Sequence, residues 1–239
     1  MRENIRDFVK LAEAVIGLTE PIYEFGASQI EGQEALADLR PLFAGKKYVG
    51  CDLFAGKGVD RIENLEKLSL EAGSVGSAVC CDTIEHVEHP AEAVREIHRV
   101  LAPDGVLVLT SVMDFRIHNF PADYWRFTPE GFKSLLSVFP RSIVGWQGWR
   151  EQPHTIFGIG FKDPARDESA ILSELSRLSK TEIRSERSAA GWKRSAATLV
   201  RRLCGGGAYS REMLDKYLDA DQVEFKITSV AALHHAHRG

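Results

Sequence analysis

The chain has 239 residues, 44% of them hydrophobic and 27% charged, with a formal net charge of −4. That length suffices for one α/β domain with some excess, whose core needs neither disulfide nor metal, and the slight acidity gives no general reason to expect nucleic acid as a partner. No apolar run approaches the ~20 residues of a membrane span. Cys51, Cys80, Cys81 and Cys204 lack paired zinc spacing, so reduced core thiols in a cytoplasmic protein are expected.

In chain order, residues 1–7 begin an amphipathic helix rather than a signal peptide: Ile5, Phe8, Val9, Ala12, Val15 and Ile16 share one stripe, suited to packing on a sheet just before its first strand. Residues 21–25 read as that strand, 26–32 as a loop, and 33–42 as a helix. A strand, a loop of small residues and a helix N-terminus bring backbone N–H groups close to an anionic or zwitterionic ligand, because Gly and Ala allow close approach. Residues 47–52 form a second strand ending in Asp52. At the tip of strand two in a doubly wound fold, a carboxylate accepts from two vicinal ribose hydroxyls. Residues 54–65 hold a glycine-rich turn and a short third strand; Gly56-Lys57-Gly58 lacks the Gly-Lys-Ser/Thr of a phosphate loop.

Residues 77–81 read as a buried strand, followed by the polar segment Asp82-Thr83-Ile84-Glu85-His86-Val87. A helix opens at Pro90, with Ala93, Val94, Ile97, Val100 and Leu101 at three- and four-residue spacing. The turn Ala102-Pro103-Asp104-Gly105 leads into a second buried strand at 106–110. Strand, helix and strand of these lengths make a right-handed crossover in a parallel sheet, where ligands sit at the carboxyl ends of the strands. Residues 82–85 and 111–114 therefore point at one crevice. Residues 111–127 are polar and aromatic together, as suits a long loop that carries binding contacts, although Phe127 reads as a loop anchor. Thr128-Pro129 then caps a helix that turns Phe132, Leu135, Leu136 and Phe139 inward. Residues 143–147 and 155–161 look like a closing antiparallel pair.

Beyond residue 162, positions 168–180 have helical spacing, 188–203 are Ala-rich and basic, Gly205-Gly206-Gly207 breaks the chain, and another helix runs from Ser210 through Leu218. His234, His235 and His237 lie in a loose tail. The basic residues Arg184, Arg187, Lys193, Arg194, Arg201 and Arg202 alternate with Glu182 and Glu186, which reads as a solvated helical face. The division expected is 1–162 as one domain and 163–239 as a helical C-terminal extension. Glu85, His86 and His89 do not place two His at the four-residue spacing of zinc helices, so no metal is expected.

The string Cys81-Asp82-Thr83-Ile84-Glu85-His86-Val87-Glu88-His89-Pro90, followed by Glu96-Ile97-His98-Arg99-Val100-Leu101-Ala102-Pro103-Asp104-Gly105, resembles the fourth and fifth strand region of class I S-adenosylmethionine-dependent methyltransferases, of the type 11-like methyltransferase domain. The resemblance runs from about residue 23 to residue 162. It implies an α/β fold: a doubly wound, Rossmann-like sheet of seven mostly parallel strands with helices on both faces, with S-adenosyl-L-methionine as cofactor. In that family the first loop carries acid-x-Gly-x-Gly-x-Gly and holds the methionine end of the cofactor. Here Glu24 and Gly26 match, Ser28 replaces the second Gly, and the next Gly is Gly32. The family recognises the adenine amino group after strand three, usually through an Asp; Asn64 and Leu65 occupy that place. The leading helix often closes over the cofactor in these enzymes. The segment Asp123-Tyr124-Trp125-Arg126-Phe127-Thr128-Pro129-Glu130-Gly131-Phe132 resembles a subset of small-molecule and saccharide-pathway methyltransferases.

The cofactor site expected from these readings comprises Glu24, Gly26, Ala27, Ser28, Asp52, Leu53, Asn64, Leu65, Asp82 and Thr83. The acceptor side comprises Asp114, His118, Asp123, Tyr124, Trp125 and Arg126, with His118 and then His86 as candidate bases, since an imidazole titrates near neutral pH. The expected activity is methyl transfer to a small hydroxylated acceptor, with oxygen preferred over nitrogen or carbon. The expected partner is therefore a small molecule, with neither nucleic acid nor membrane, and the residues leave the oligomeric state open, a homodimer included. Two alternatives stand beside this: a methyltransferase-like binding or regulatory module without turnover, which the altered glycine loop suggests, and a nucleic-acid methyltransferase using the basic C-terminal face.

Overall fold

A computed structural model of the chain describes residues 1–32, 34–118, 121–183 and 223–228. Helix α1 (Glu3–Ile16) buries the expected stripe of Ile5, Phe8, Val9, Ala12 and Ile16 and ends at Gly17, whose φ of 70° is the left-handed cap that lets its N–H reach the Glu13 carbonyl. Strand β1 (Ile22–Phe25) follows, then a short helix α2 (Glu34–Ala37) and a 3₁₀ turn (Arg40–Phe43) in place of the single helix expected over 33–42. Two local features divide that segment. The Asp38 carboxylate accepts the N–H of Arg40, and Pro41 has no N–H with which to continue an α-helix.

The remaining strands are β2 (Tyr48–Asp52), β3 (Arg61–Ile62), β4 (Val75–Cys81), β5 (Leu101–Val112), β6 (Arg141–Trp149), β7 (Gln152–Phe161) and β8 (Val223–Ile227). Helices α3 (Pro90–Val100), α4 (Pro129–Leu135) and α5 (Glu168–Glu182) complete the described elements. One sheet runs β3-β2-β1-β4-β5-β7-β6-β8. Its first five members are parallel, and β7, β6 and β8 follow through antiparallel pairings. The β4–β5 ladder passes directly from Val75↔Leu101 to Ser77↔Val106, so the expected turn at 102–105 survives as a bulge inside a longer strand.

The sheet has one strand more than the seven expected, and the eighth lies within the extension expected to be helical. Val223, Phe225 and Ile227 face inward while Glu224 and Lys226 are exposed, a period of two over five residues. Phe225 occupies space that Gly145 leaves open on β6: a Cβ there would come within 2.2 Å of the Phe225 ring. Its ring also stacks 5.9 Å from Phe8 of α1. The expected helix at 168–180 is α5, capped by Asp167, whose carboxylate accepts the N–H groups of Ser169 and Ala170. The expected Ala-rich segment, the glycine break, the helix from Ser210 and the histidine tail lie outside the described residues.

Side chains alternate along β4 and β5, which explains their unbroken apolar runs. Ala78, Cys80, Leu107 and Leu109 pack with Ala93, Val94, Ile97, Phe132, Leu136 and Phe139 of α3, α4 and the turn after α4. Val79, Cys81, Val106 and Val108 pack on the other face with α1, α5 and β8. Both faces are thus covered. Cys51, Cys80 and Cys81 are buried free thiols within these cores.

Candidate functional site

β1 lies between β2 and β4, so the chain leaves it in one direction and returns on the other side, and a crevice opens at the carboxyl ends of these strands. A cavity of about 540 Å³ occupies that crevice, within the ~300–1,000 Å³ of small-molecule and cofactor sites. All ten residues expected at the cofactor site line it, from Glu24, Gly26, Ala27 and Ser28 through Asp52, Leu53, Asn64 and Leu65 to Asp82 and Thr83. Register explains the convergence. Phe25 lies across from Cys51 and Cys80, so Gly26, Asp52 and Asp82 all leave the sheet at about one level.

Gly26 has φ +87°, and a Cβ on it would sit 2.0 Å from the Thr83 hydroxyl oxygen, so the loop and the end of β4 touch only because glycine stands there. The loop's own N–H groups behave differently from the expectation. Those of Gly26 and Ala27 donate to the Cys51 carbonyl, that of Ser28 to the Asp52 carboxylate at 3.1 Å, and that of Gln29 to the Lys57 carbonyl. They brace the crevice wall instead of pointing at a ligand, and polar recognition falls to side chains.

Of the six carboxyl groups that border the cavity, four stand in contrasting surroundings. Glu24 is buried, and burial pushes its carboxyl up to about 8 against the opposing hydrogen bond from the Tyr48 hydroxyl. Asp82 is half-buried, and the Arg2 guanidinium outweighs the cost of its partial removal from water and holds it below the ordinary carboxylate range, with Thr110 donating a further bond at 3.1 Å. Arg2 grips both Asp82 oxygens at 3.2 Å and donates to the Thr155 hydroxyl at 2.6 Å. Its guanidinium also lies 5.5 Å from the centre of the Phe115 ring. Glu63 is likewise buried, but bonds from Ser69 and Arg61 overcome the burial and keep its carboxyl low. Asp52 is half-buried with an oxygen on the Ser28 N–H. Asn64 is exposed, and its Oδ1 already accepts the Glu66 N–H at 2.9 Å, leaving one lone pair for a ligand amine.

On the acceptor side, His86, His118 and Tyr124 line the cavity, whereas Asp114, Asp123, Trp125 and Arg126 do not. These four hold the loop. The Asp123 carboxylate accepts two bonds from Arg126 and one from the His118 N–H, and Arg126 depresses its carboxyl well below the usual range. Trp125 Nε1 donates to the Val87 carbonyl at 2.9 Å, and Gln152 donates to Asp114. Phe127 is buried against Phe132, an anchor as its sequence context suggested.

Met1, Arg2, Glu63, Phe115 and Arg116 also line the cavity and were not singled out in the sequence. Arg2 precedes the apolar stripe of its helix and meets Asp82 eighty residues away, so no local pattern marks it. The chemistry of this donor set fits S-adenosylmethionine. Carboxyl, amide and apolar side chains border one cavity, as a ligand with a charged amino-acid end, a ribose and a base requires.

Residues 35–109 match the methyltransferase domain family model. The match covers less than half of the chain, and the fold and cavity around it agree with an S-adenosylmethionine-dependent methyltransferase. Over 128 residues it is 27% identical to the ubiquinone/menaquinone biosynthesis C-methyltransferase UbiE of Geotalea uraniireducens, an alignment covering 50% of this chain and 54% of that protein. The chain thus spans about half the length of that curated relative. Among solved structures, the CurJ carbon methyltransferase shares the fold with a TM-score of 0.50 at 14% identity, covering 66% of this chain and 54% of that one. The 1,6-didemethyltoxoflavin-N1-methyltransferase of Burkholderia thailandensis, which holds its substrate and S-adenosylhomocysteine, aligns with a TM-score of 0.49 at 16% identity over 67% of this chain and 80% of that one.

No helix among the described residues is long and apolar enough to cross a membrane.

Proposed function

We propose that the protein transfers a methyl group from S-adenosylmethionine to a small hydroxylated acceptor, with oxygen as the receiving atom. The observation that supports this reading is the joining of two halves in one cavity: a nucleoside-sized polar wall at the ends of β1, β2 and β4, and a histidine- and aromatic-lined wall from the loop after β5. The cofactor, when bound, supplies a sulfonium methyl whose transfer forms an O–C bond, breaks the S–C bond and leaves a neutral thioether.

For such an in-line displacement the chain's work is positioning and exclusion of water. Asp52 accepts from the ribose diol, Asn64 and Leu65 border the adenine, and Glu24 and Asp82 face the methionine end, where Arg116 borders the same cavity. His118 and His86 border the acceptor, His118 from the loop after β5 and His86 from the turn after β4, and each offers a ring nitrogen to take the proton of an acceptor hydroxyl. Tyr124 closes the same wall. Residues 1–162 form the cofactor-binding unit in this reading, with α5 and β8 completing its outer face. The buried reduced thiols Cys51, Cys80 and Cys81 accord with a cytoplasmic setting.

A binding module without turnover is the second reading, favoured by the four loop N–H groups bonded within the protein. Incubation with methyl-labelled S-adenosylmethionine and pools of small hydroxylated metabolites separates the two. The proposal predicts label in an O-methyl product together with S-adenosylhomocysteine. Cofactor binding with no label transferred supports the module, and label on nitrogen or carbon overturns the choice of oxygen.

A further inference from the structure

Three side chains at the acceptor end of the cavity have an arrangement that methyl transfer by itself does not require. Glu85 and His86 are neighbours in the 3₁₀ turn Ile84–His86 after β4, and His118 comes from the loop after β5. One donor atom from each can be chosen so that all three lie within 4.8 Å of one another. The two imidazole rings meet edge to face, with centroids 4.7 Å apart.

Each of the three is oriented by a second partner. His86 Nδ1 contacts the Ala122 carbonyl, and His118 Nδ1 lies 3.2 Å from Asp123 Oδ2 and 3.3 Å from the Arg116 carbonyl. A carbonyl or carboxylate only accepts, so both Nδ1 atoms carry the proton and both Nε2 atoms are left bare. Glu85 is fully buried. Its Oε2 accepts the Ser111 hydroxyl at 2.7 Å, while its Oε1 is buried with no hydrogen-bond partner. Burial pushes the Glu85 carboxyl up to about 8, and a buried carboxyl oxygen with no partner costs on the order of 1–3 kcal/mol unless something binds it. Imidazoles fixed through Nδ1 by a carbonyl and a carboxylate, beside a carboxylate fixed by a hydroxyl, are the outer-shell arrangement of a metal site.

We infer that Glu85 Oε1, His86 Nε2 and His118 Nε2 form a binding site for one divalent first-row transition-metal cation, of the zinc or cobalt kind. Two imidazoles and one carboxylate are a donor set that holds such an ion with coordination positions left open. His86 and His118 line the cavity, so the open positions would face it; with the ion bound, an acceptor oxygen would meet the ion in place of the two Nε2 atoms, which are offered to the acceptor only in the ion-free site. The motif Glu-His-x-x-His argues against a metal in the sequence because His86 and His89 lack the four-residue spacing of zinc helices. His89 is instead exposed and bonded to Glu66, and the third donor comes from a loop 32 residues beyond His86. The ion's part in catalysis rests on the methyl-transfer reading, whereas its binding does not.

His234, His235 and His237 can bind metal without any fold, so the test uses the full-length chain with all three changed to Ala. After removal of metal by a chelator, Co²⁺ is titrated and followed by calorimetry and by the visible absorption of the bound ion. The expected result is one equivalent per chain with a tetrahedral or five-coordinate spectrum. Adding His118→Gln or Glu85→Gln should weaken binding at least about 100-fold. Thermal melting shows whether each variant is folded, and His118→Gln, at a half-buried loop position, keeps the test open if Glu85→Gln fails to fold. Absence of a stoichiometric site in the tail-substituted chain, or binding unchanged by His118→Gln, overturns the proposal. Cofactor titration in the presence of chelator is independent of this result, so failure of the metal site and failure of the methyl-transfer reading are distinguishable.

Discussion

Glu24 shows how one residue can match a sequence pattern and yet carry a different charge state from the one the pattern suggests. It stands two positions before Gly26, as the acid of the first loop should, but its burial pushes the carboxyl from 4.5 up to about 8. The folded chain therefore holds a proton that the unfolded chain releases near pH 4.5. The resulting stabilisation is complete below that pH and is lost as pH rises toward 8. Glu24→Gln should flatten this loss, which urea unfolding of both proteins at pH 5 and pH 8 would measure. Equal pH slopes for the two would contradict a proton held on Glu24. Asp52 and Asp82 were legible in the sequence because each ends a strand whose apolar pattern fixes its register. Arg2 and Glu63 were not, because their roles depend on partners brought together only by folding or on local hydrogen bonds without a periodic signature.

At the scale of elements, the apolar runs at β4 and β5, the Pro-led α3 and the Thr128 cap of α4 all appear where periodicity and capping place them. Two elements escaped. The helix expected over 33–42 is divided by an Asp side chain and a Pro, and β8 is a five-residue strand in a polar context whose identity depends on a groove left by Gly145. The acidic side chains of the loop after β5 were legible as a polar cluster but not in their orientation, since Asp123 turns toward Arg126 and away from the cavity. Phe225 carries the attachment of β8, with its ring against Phe8 and Phe157. Phe225→Ala should destabilise the fold by about 3 kcal/mol, the scale of a large buried aromatic lost from a core, seen as a lower denaturation midpoint. A change below about 0.5 kcal/mol would mean that β8 adds little to the sheet.

For the whole molecule, the central claim is that residues far apart in sequence meet around one cofactor-sized cavity. The strand order β3-β2-β1-β4-β5 produces that meeting: the reversal at β1 brings Gly26, Asp52 and Asp82 to the same edge of the sheet, and α1 returns Arg2 to it from outside. The long-range part of this design was visible as a crossover pattern, while the closure by α1 was implied only by family resemblance. Calorimetric titration of S-adenosylmethionine into the full-length protein and into Asp52→Ala tests the claim most directly. The account predicts one saturable site per chain, weakened by about 1.5–3 kcal/mol in the variant. No saturable binding at millimolar cofactor, or the same affinity in both proteins, would contradict it.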